Sequence, residues 1–77
     1  MKYYRTYYNN GNIASEFFRM NHNIEGNYKT YYSNGNLSFI CNFINGIKNG
    51  YYIQFSENGH ISETGFFIDD KKHRIKK

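Results

Sequence analysis

The sequence predicts an all-β fold: an antiparallel meander of about six strands, built as three stacked 24-residue β-hairpin repeats that form one elongated sheet. Three observations lead there. Residue types recur every 24 positions without a gap, Asn-Gly pairs punctuate the chain, and the apolar period between turns is near 2 rather than 3.6.

The period is carried by many positions at once. Gly11, Gly35 and Gly59 are each preceded by asparagine (Asn10, Asn34, Asn58) and followed two residues later by Ile13, Leu37 and Ile61. Tyr4, Tyr28 and Tyr52 keep the same register, as do Tyr7, Tyr31 and Phe55, and Met20, Ile44 and Ile68. Gly26 and Gly50 open the second and third units, so the repeat domain spans residues 2–73 in units 2–25, 26–49 and 50–73. The start at Met1, in phase with the repeat, favours a complete chain.

Taken in order, residues 3–8 form the first, outermost strand, the Asn10-Gly11 turn follows, and a second run starts at Ile13. The first connection between units, Met20 to Gly26, lacks an internal glycine. In the middle unit, Tyr28 to Tyr32 is a β-prone run and Ser33-Asn34-Gly35-Asn36 is a turn, read as type I′ because Asn-Gly suits two positive φ angles. Leu37 to Ile44 then alternates, with Leu37, Phe39, Cys41 and Phe43 on one face and Ser38, Ile40, Asn42 and Ile44 on the other. Asn45-Gly46 turns the chain, Asn49-Gly50 leads into the third unit, and residues 61–68 make the last strand. Tyr28 and Tyr31 are three apart, so either a bulge re-aims one of them or each serves a different face.

Composition agrees. Aromatic residues make up 21% of the 77 residues, as nine Tyr and seven Phe, and Pro is absent. Disordered chains are poor in aromatics, whereas Tyr and Phe favour strands and Asn and Gly favour tight turns. One cysteine, Cys41, excludes an intramolecular disulfide framework. No run of 18 apolar residues and no signal segment is visible, so the expected location is cytoplasmic. The net charge of +4 is concentrated at one end: residues 71–77 hold five of the ten Lys and Arg, while the remaining residues hold five against six acids. The high pI therefore describes a basic C-terminal tail (Lys71, Lys72, Arg74, Lys76, Lys77) rather than a basic face.

The stretch Phe43-Ile44-Asn45-Gly46-Ile47-Lys48-Asn49-Gly50, followed by Tyr52, Phe55, Asn58-Gly59 and Ile61, resembles the MORN repeats in their short bacterial and viral variant. The resemblance covers nearly all of residues 2–73, and departs after the third unit, where Asp70 stands at a glycine position. It implies a ladder of stacked hairpins in a single twisted sheet, acting as a scaffold or binding platform. It also implies kinship with repeat proteins that serve as antitoxins in toxin–antitoxin pairs.

Residue chemistry gives no support to catalysis. Cys41 reads as a small packed thiol. His22, His60 and His73 share no ligand-type spacing, so neither metal nor other cofactor is expected. Glu16 and Glu63 read as isolated, solvated strand carboxylates. The functional candidates are tyrosines at positions that vary between units, Tyr3, Tyr8, Tyr32 and Tyr51, since Tyr supplies rigid contact area with a polar tip. The expected function is non-enzymatic protein binding through a Tyr-rich sheet face or an edge strand. The partner is a toxin, another protein or a second copy of the chain. The alternative is binding of nucleic acid or an anionic membrane surface through aromatics and the basic tail.

Overall fold

The structure, a computed structural model, describes residues 1–75. Lys76 and Lys77 lie outside the described residues. The chain forms β1 (Lys2–Tyr7), β2 (Ile13–Met20), β3 (Asn23–Tyr31), β4 (Leu37–Ile44), β5 (Ile47–Lys48), β6 (Gly50–Phe55), β7 (Ile61–Ile68) and β8 (Lys71–Arg74). All belong to one antiparallel sheet in the order β1-β2-β3-β4-β6-β7-β8, with β5 paired to β4. The sheet is a slab of 37 × 35 × 12 Å, one layer thick.

Among the described residues eight strands replace the expected six, for two local reasons. The strand corresponding to β3 is interrupted at Asn49, whose amide donates to the Asn42 carbonyl at 2.9 Å while Gly50 takes a φ of 97°. This leaves β5 and β6 as two pieces. Lys71–Arg74, read as a tail, pairs with β7 as an added strand. Its side chains are charged and exposed, but backbone pairing does not require apolar side chains, and Glu63 supplies an opposite charge at that edge.

Of the two readings left open at Tyr28 and Tyr31, the structure shows the second, each serving a different face; a bulge is also present, on the partner strand, and recurs with the repeat. The register shifts between Thr6 and Tyr7, between Thr30 and Tyr31, and between Gln54 and Phe55. Each shift leaves one residue of the partner strand (Ala14, Ser38, Ser62) out of the pairing. Tyr28 pairs with Cys41, and ordinary alternation along β3 puts Tyr31, three positions on, on the opposite face, where it reaches Glu16; the extra residue lies in the partner strand.

Two turn geometries hold the hairpins. At one end of the sheet, residues 8–12, 32–36 and 56–60 repeat one pattern: in the middle unit, Gly35 N donates to Tyr32 O at 3.0 Å and Tyr32 N to Asn36 O at 2.8 Å. Only the glycine has a positive φ, 95° at Gly35. This is a three-residue loop closed by a left-handed glycine, not the type I′ turn expected at Asn34-Gly35. Asn34 serves instead as an acceptor, taking the Asn36 amide on its Oδ1 at 2.9 Å. At the other end, Asn45 and Gly46 (φ 52° and 79°) and Asp69 and Asp70 (φ 49° and 71°) make two-residue turns with both φ values positive.

Residues directly opposed across strands share a face, which divides the side chains into two sets. The first, here the packed face, carries a ladder of rings: Tyr4–Phe17, Phe17–Tyr28 and Tyr28–Phe43 at 5.4–5.6 Å, then Phe39–Tyr52 at 5.9 Å and Tyr52–Phe67 at 5.0 Å. Such pairs contribute about 0.5–1.5 kcal/mol each beyond their burial. Cys41, Phe43, Tyr52 and Phe67 are buried there, with Ile24, Tyr28 and Phe39 against them. The other, open face carries Tyr3, Phe18, Tyr31, Ile40, Ile44, Tyr51, Ile53, Phe66 and Ile68.

Candidate binding surface

The four candidate tyrosines are not brought together. Tyr8 and Tyr32 sit at the three-residue turns, and each hydroxyl donates to a backbone carbonyl of the following unit: Tyr8 to Tyr31 O at 2.5 Å and Tyr32 to Phe55 O at 2.6 Å. Asparagine amides reinforce the same junctions. Asn10 and Asn12 donate to Ser33 O, and Asn34 and Asn36 donate to Glu57 O, at 2.8–3.1 Å. In the third unit Ser56 and His60 stand at these positions, and Ser56 Oγ turns inward to Asn58 Oδ1. The residues that carry tyrosine at this position are thus joined to the next unit.

Tyr3 and Tyr51 lie on the open face, four strand positions apart and so roughly 19 Å from one another. Tyr51 is 76% exposed, its ring edge-on to Phe66. Tyr3 packs on Phe18 at 4.9 Å and donates to Glu16 Oε1 at 2.5 Å, while Arg5 Nε donates to the Tyr3 hydroxyl at 2.8 Å. Tyr31 donates to Glu16 Oε2 at 2.9 Å. These bonds, Tyr3's first, hold the Glu16 carboxyl below the usual carboxylate range. In return Glu16 raises the Tyr3 hydroxyl.

Glu63 is the second carboxylate that the sequence reading left solvated. It lies on the packed face, where it accepts from Tyr52 at 2.5 Å, pairs with Lys72 at 2.6 Å and faces Arg74 at 3.6 Å. The Lys72 bond, then the Tyr52 hydroxyl, pull its carboxyl down to about 2. Burial, with Glu63 beside it, pushes the Tyr52 hydroxyl up to about 12. Lys72 and Arg74 are therefore strand residues tied to the sheet, and Lys71 projects on the opposite side, across from Ile68.

Sequence reasoning missed the aliphatic part of the open face. Met20, Ile44 and Ile68, noted as repeat positions, are 43%, 50% and 52% exposed, and Ile47 and Phe18 flank them. The signal was available: these residues keep both the 24-residue period and the phase opposite to Phe43 and Phe67.

Cys41 is buried, its thiol pushed up to about 11 by that burial, which makes it a packed group and a poor nucleophile. Among the described residues no three of His, Cys, Asp and Glu converge as a metal site, and no helix is long and apolar enough to cross a membrane.

The MORN repeat variant profile matches residues 3–21, 24–45 and 48–69. MORN repeats are non-catalytic modules generally associated with binding or scaffolding. No curated protein and no solved structure matches the chain significantly. Three consecutive matches cover most of the chain, and the fold beneath them is an open ladder of hairpins with a 24-residue period; the protein belongs to the MORN repeat variant family.

Proposed function

We propose that the chain is a protein-binding repeat module whose contact surface is the open face of the sheet. The observation that carries this reading is the exposed row Met20, Ile44 and Ile68, repeated once per unit and flanked by Phe18, Ile47 and Tyr51. A one-layer sheet has no second layer to cover this row. The molecule exposes 5513 Å², more than the about 4,900 Å² that scaling gives for a compact chain of 9.2 kDa. Exposed Tyr51 and the aromatic pair Tyr3–Phe18 add the residue types that anchor interfaces. In its sharper form, the partner is a toxin that the module occludes.

The test is affinity capture from the native lysate at moderate salt with three baits: the native chain, an open-face variant (Tyr51→Ala with Ile44→Ser), and a packed-face variant (Lys48→Gln). Circular dichroism first establishes that each is folded. One dominant protein held by the native and Lys48→Gln baits but lost with the open-face variant supports the reading, and its identity decides the toxin version. Capture that is indifferent to the open-face changes, or no capture, refutes it.

A further inference from the structure

We propose that the packed face is a second binding surface, and that its ligand is single-stranded nucleic acid held by phosphate contacts. This rests on the face opposite to the protein-contact surface and stands independently of it.

Charge is divided unequally between the two faces. Among the described strand residues, the packed face carries Lys2, Arg19, Lys48, Lys72 and Arg74 against one acid, Glu63; Asp70, in the turn after β7, also accepts from the Lys48 amide on its Oδ1 at 3.1 Å. The open face carries Arg5, Lys29 and Lys71 against Glu16 and Glu25, close to balance. The strand alternation hides this in the sequence, where neighbours such as Lys71 and Lys72 go to opposite sides. Glu63 pairs with Lys72 and Arg74, which share it, leaving Lys2, Arg19 and Lys48 as the further cations of that face.

The cations are interleaved with rings. Lys2 lies over Tyr4 at 5.8 Å, Arg19 over Tyr4 and Phe17 at 5.4 and 5.7 Å, Lys48 over Phe67 at 5.2 Å and Lys72 over Tyr52 at 5.5 Å. A cation held over a ring face is positioned before a ligand arrives, so less side-chain freedom is lost on binding. Lys2 and Arg19 oppose each other on β1 and β2. Lys48 follows three strand positions away and Lys72 two beyond it. At about 4.8 Å per strand the row crosses the sheet over roughly 29 Å.

A linear polyanion laid across the strands meets these charges in turn. The ring arrangement favours a single strand over a duplex. Tyr4, at the β1 edge, is exposed and stacks on half-buried Phe17 with an interplanar angle of 12°. That end offers a platform for an unpaired base once Lys2 and Arg19, which lie over the Tyr4 ring, move outward onto the flanking phosphates. Phe43, Tyr52 and Phe67 are buried and offer none, so phosphate contacts dominate. A flat face about 35 Å wide does not enter a duplex groove, and a duplex hides its base faces.

The experiment is fluorescence anisotropy of the full chain with labelled oligo(dT) and oligo(U) of about a dozen nucleotides, over about 20–300 mM salt. The expected result is binding whose log K falls with log salt at a slope of about −2 to −3, three to four phosphates at about 0.7 each. Arg19→Gln and Lys48→Gln each weaken binding by about 3–10-fold and each reduce the slope by about 0.7. Tyr4→Leu weakens binding about 5-fold or more without changing the slope. The open-face pair Arg5→Gln and Lys29→Gln leaves both quantities unchanged. Lys2→Gln, at the exposed edge, replaces any variant that circular dichroism shows to be unfolded. No binding at low salt overturns the proposal. So do equal losses from both faces, binding that depends only on Lys76 and Lys77, a duplex bound as tightly as a single strand, and binding of phosphatidylserine vesicles in place of oligonucleotide.

Discussion

Replacing Gly65 by alanine should destabilise the protein by detaching β8. Gly65 occupies the repeat position held by Phe17 and Cys41, on the packed face between Tyr52 and Arg74. A Cβ there would lie 2.7 Å from Tyr52 Cε2, 2.9 Å from Arg74 Cα, and hard against the His73 carbonyl oxygen. Carbon atoms pack at about 3.5–4.0 Å, so something must move by roughly 1 Å. Two of the three obstacles are β8 backbone, which can retreat only by leaving its ladder with β7. Overpacking of this kind costs about 1–3 kcal/mol. Alanine recovers about 0.5–1 kcal/mol because it restricts the unfolded chain more than glycine does. The net expectation is a loss of about 1–2 kcal/mol. With a urea m-value of about 1 kcal/mol/M for so small a chain, the midpoint falls by about 1–2 M. Hydrogen exchange should locate the damage: the Ile75 amide, bonded to Thr64 O at 2.9 Å, loses protection, while amides of β2 to β4 keep theirs relative to the global stability. Gly59→Ala separates this mechanism from backbone strain. Nothing lies within 4 Å of its Cβ, but φ is 93°, so it costs about 1–2 kcal/mol through strain alone and leaves β8 protected. An unchanged or raised midpoint for Gly65→Ala would refute the placement of β8 on β7.

Tyr32→Phe removes the donor to Phe55 O and should lower stability by about 0.5–1.5 kcal/mol in urea unfolding, with Tyr8→Phe adding to it at the other junction; a neutral double variant would deny these bonds a role between units. Stability should fall as the solution is acidified from about pH 5 towards pH 2. The Glu63 carboxyl is held at about 2 in the fold and returns to its ordinary, higher value on unfolding, so its contribution is present above that ordinary value and vanishes on protonation. Glu63→Gln should flatten this acid limb, which thermal melts across pH would record. Cys41 should react slowly with iodoacetamide at pH 8 and rapidly once unfolded, because its thiol is buried and pushed up to about 11; fast labelling of the folded chain would contradict its packing.

Much of the fold was legible because the repeat writes it three times. The glycines at 11, 35 and 59 mark one end of the sheet whatever the turn type, and the alternation from Leu37 to Ile44 fixed which side chains face Tyr28. The turn type was not legible: Asn34-Gly35 and Asn45-Gly46 spell the same dipeptide but take different geometries, decided by the register of the flanking strands. The strand β8 was masked by its charge, since nothing local in Lys-Lys-His-Arg signals a partner, and its anchor Glu63 lies eight or more residues away. Glu16 and Glu63 looked alike, yet they differ by one position in the period and so fall on opposite faces. The placement of the four variable-position tyrosines was legible only in part. Tyr3, Tyr8 and Tyr51 are exposed, and Tyr8 and Tyr32 carry lateral hydrogen bonds that only the stacking of units creates.

The strict sequential order of the strands has a mechanical consequence. The first and last of these strands lie at opposite edges, and the strands between them cross the sheet in chain order, with β5 and β6 sharing the place beside β4. Tension applied through the two ends therefore peels the sheet from its borders, loading one rung of hydrogen bonds at a time instead of shearing many together. The molecule should yield at low force and in short extensions, one hairpin after another, and recover the same way. A platform of this kind can give way under a pull on a bound partner and re-form around it without passing through a single, all-or-none rupture.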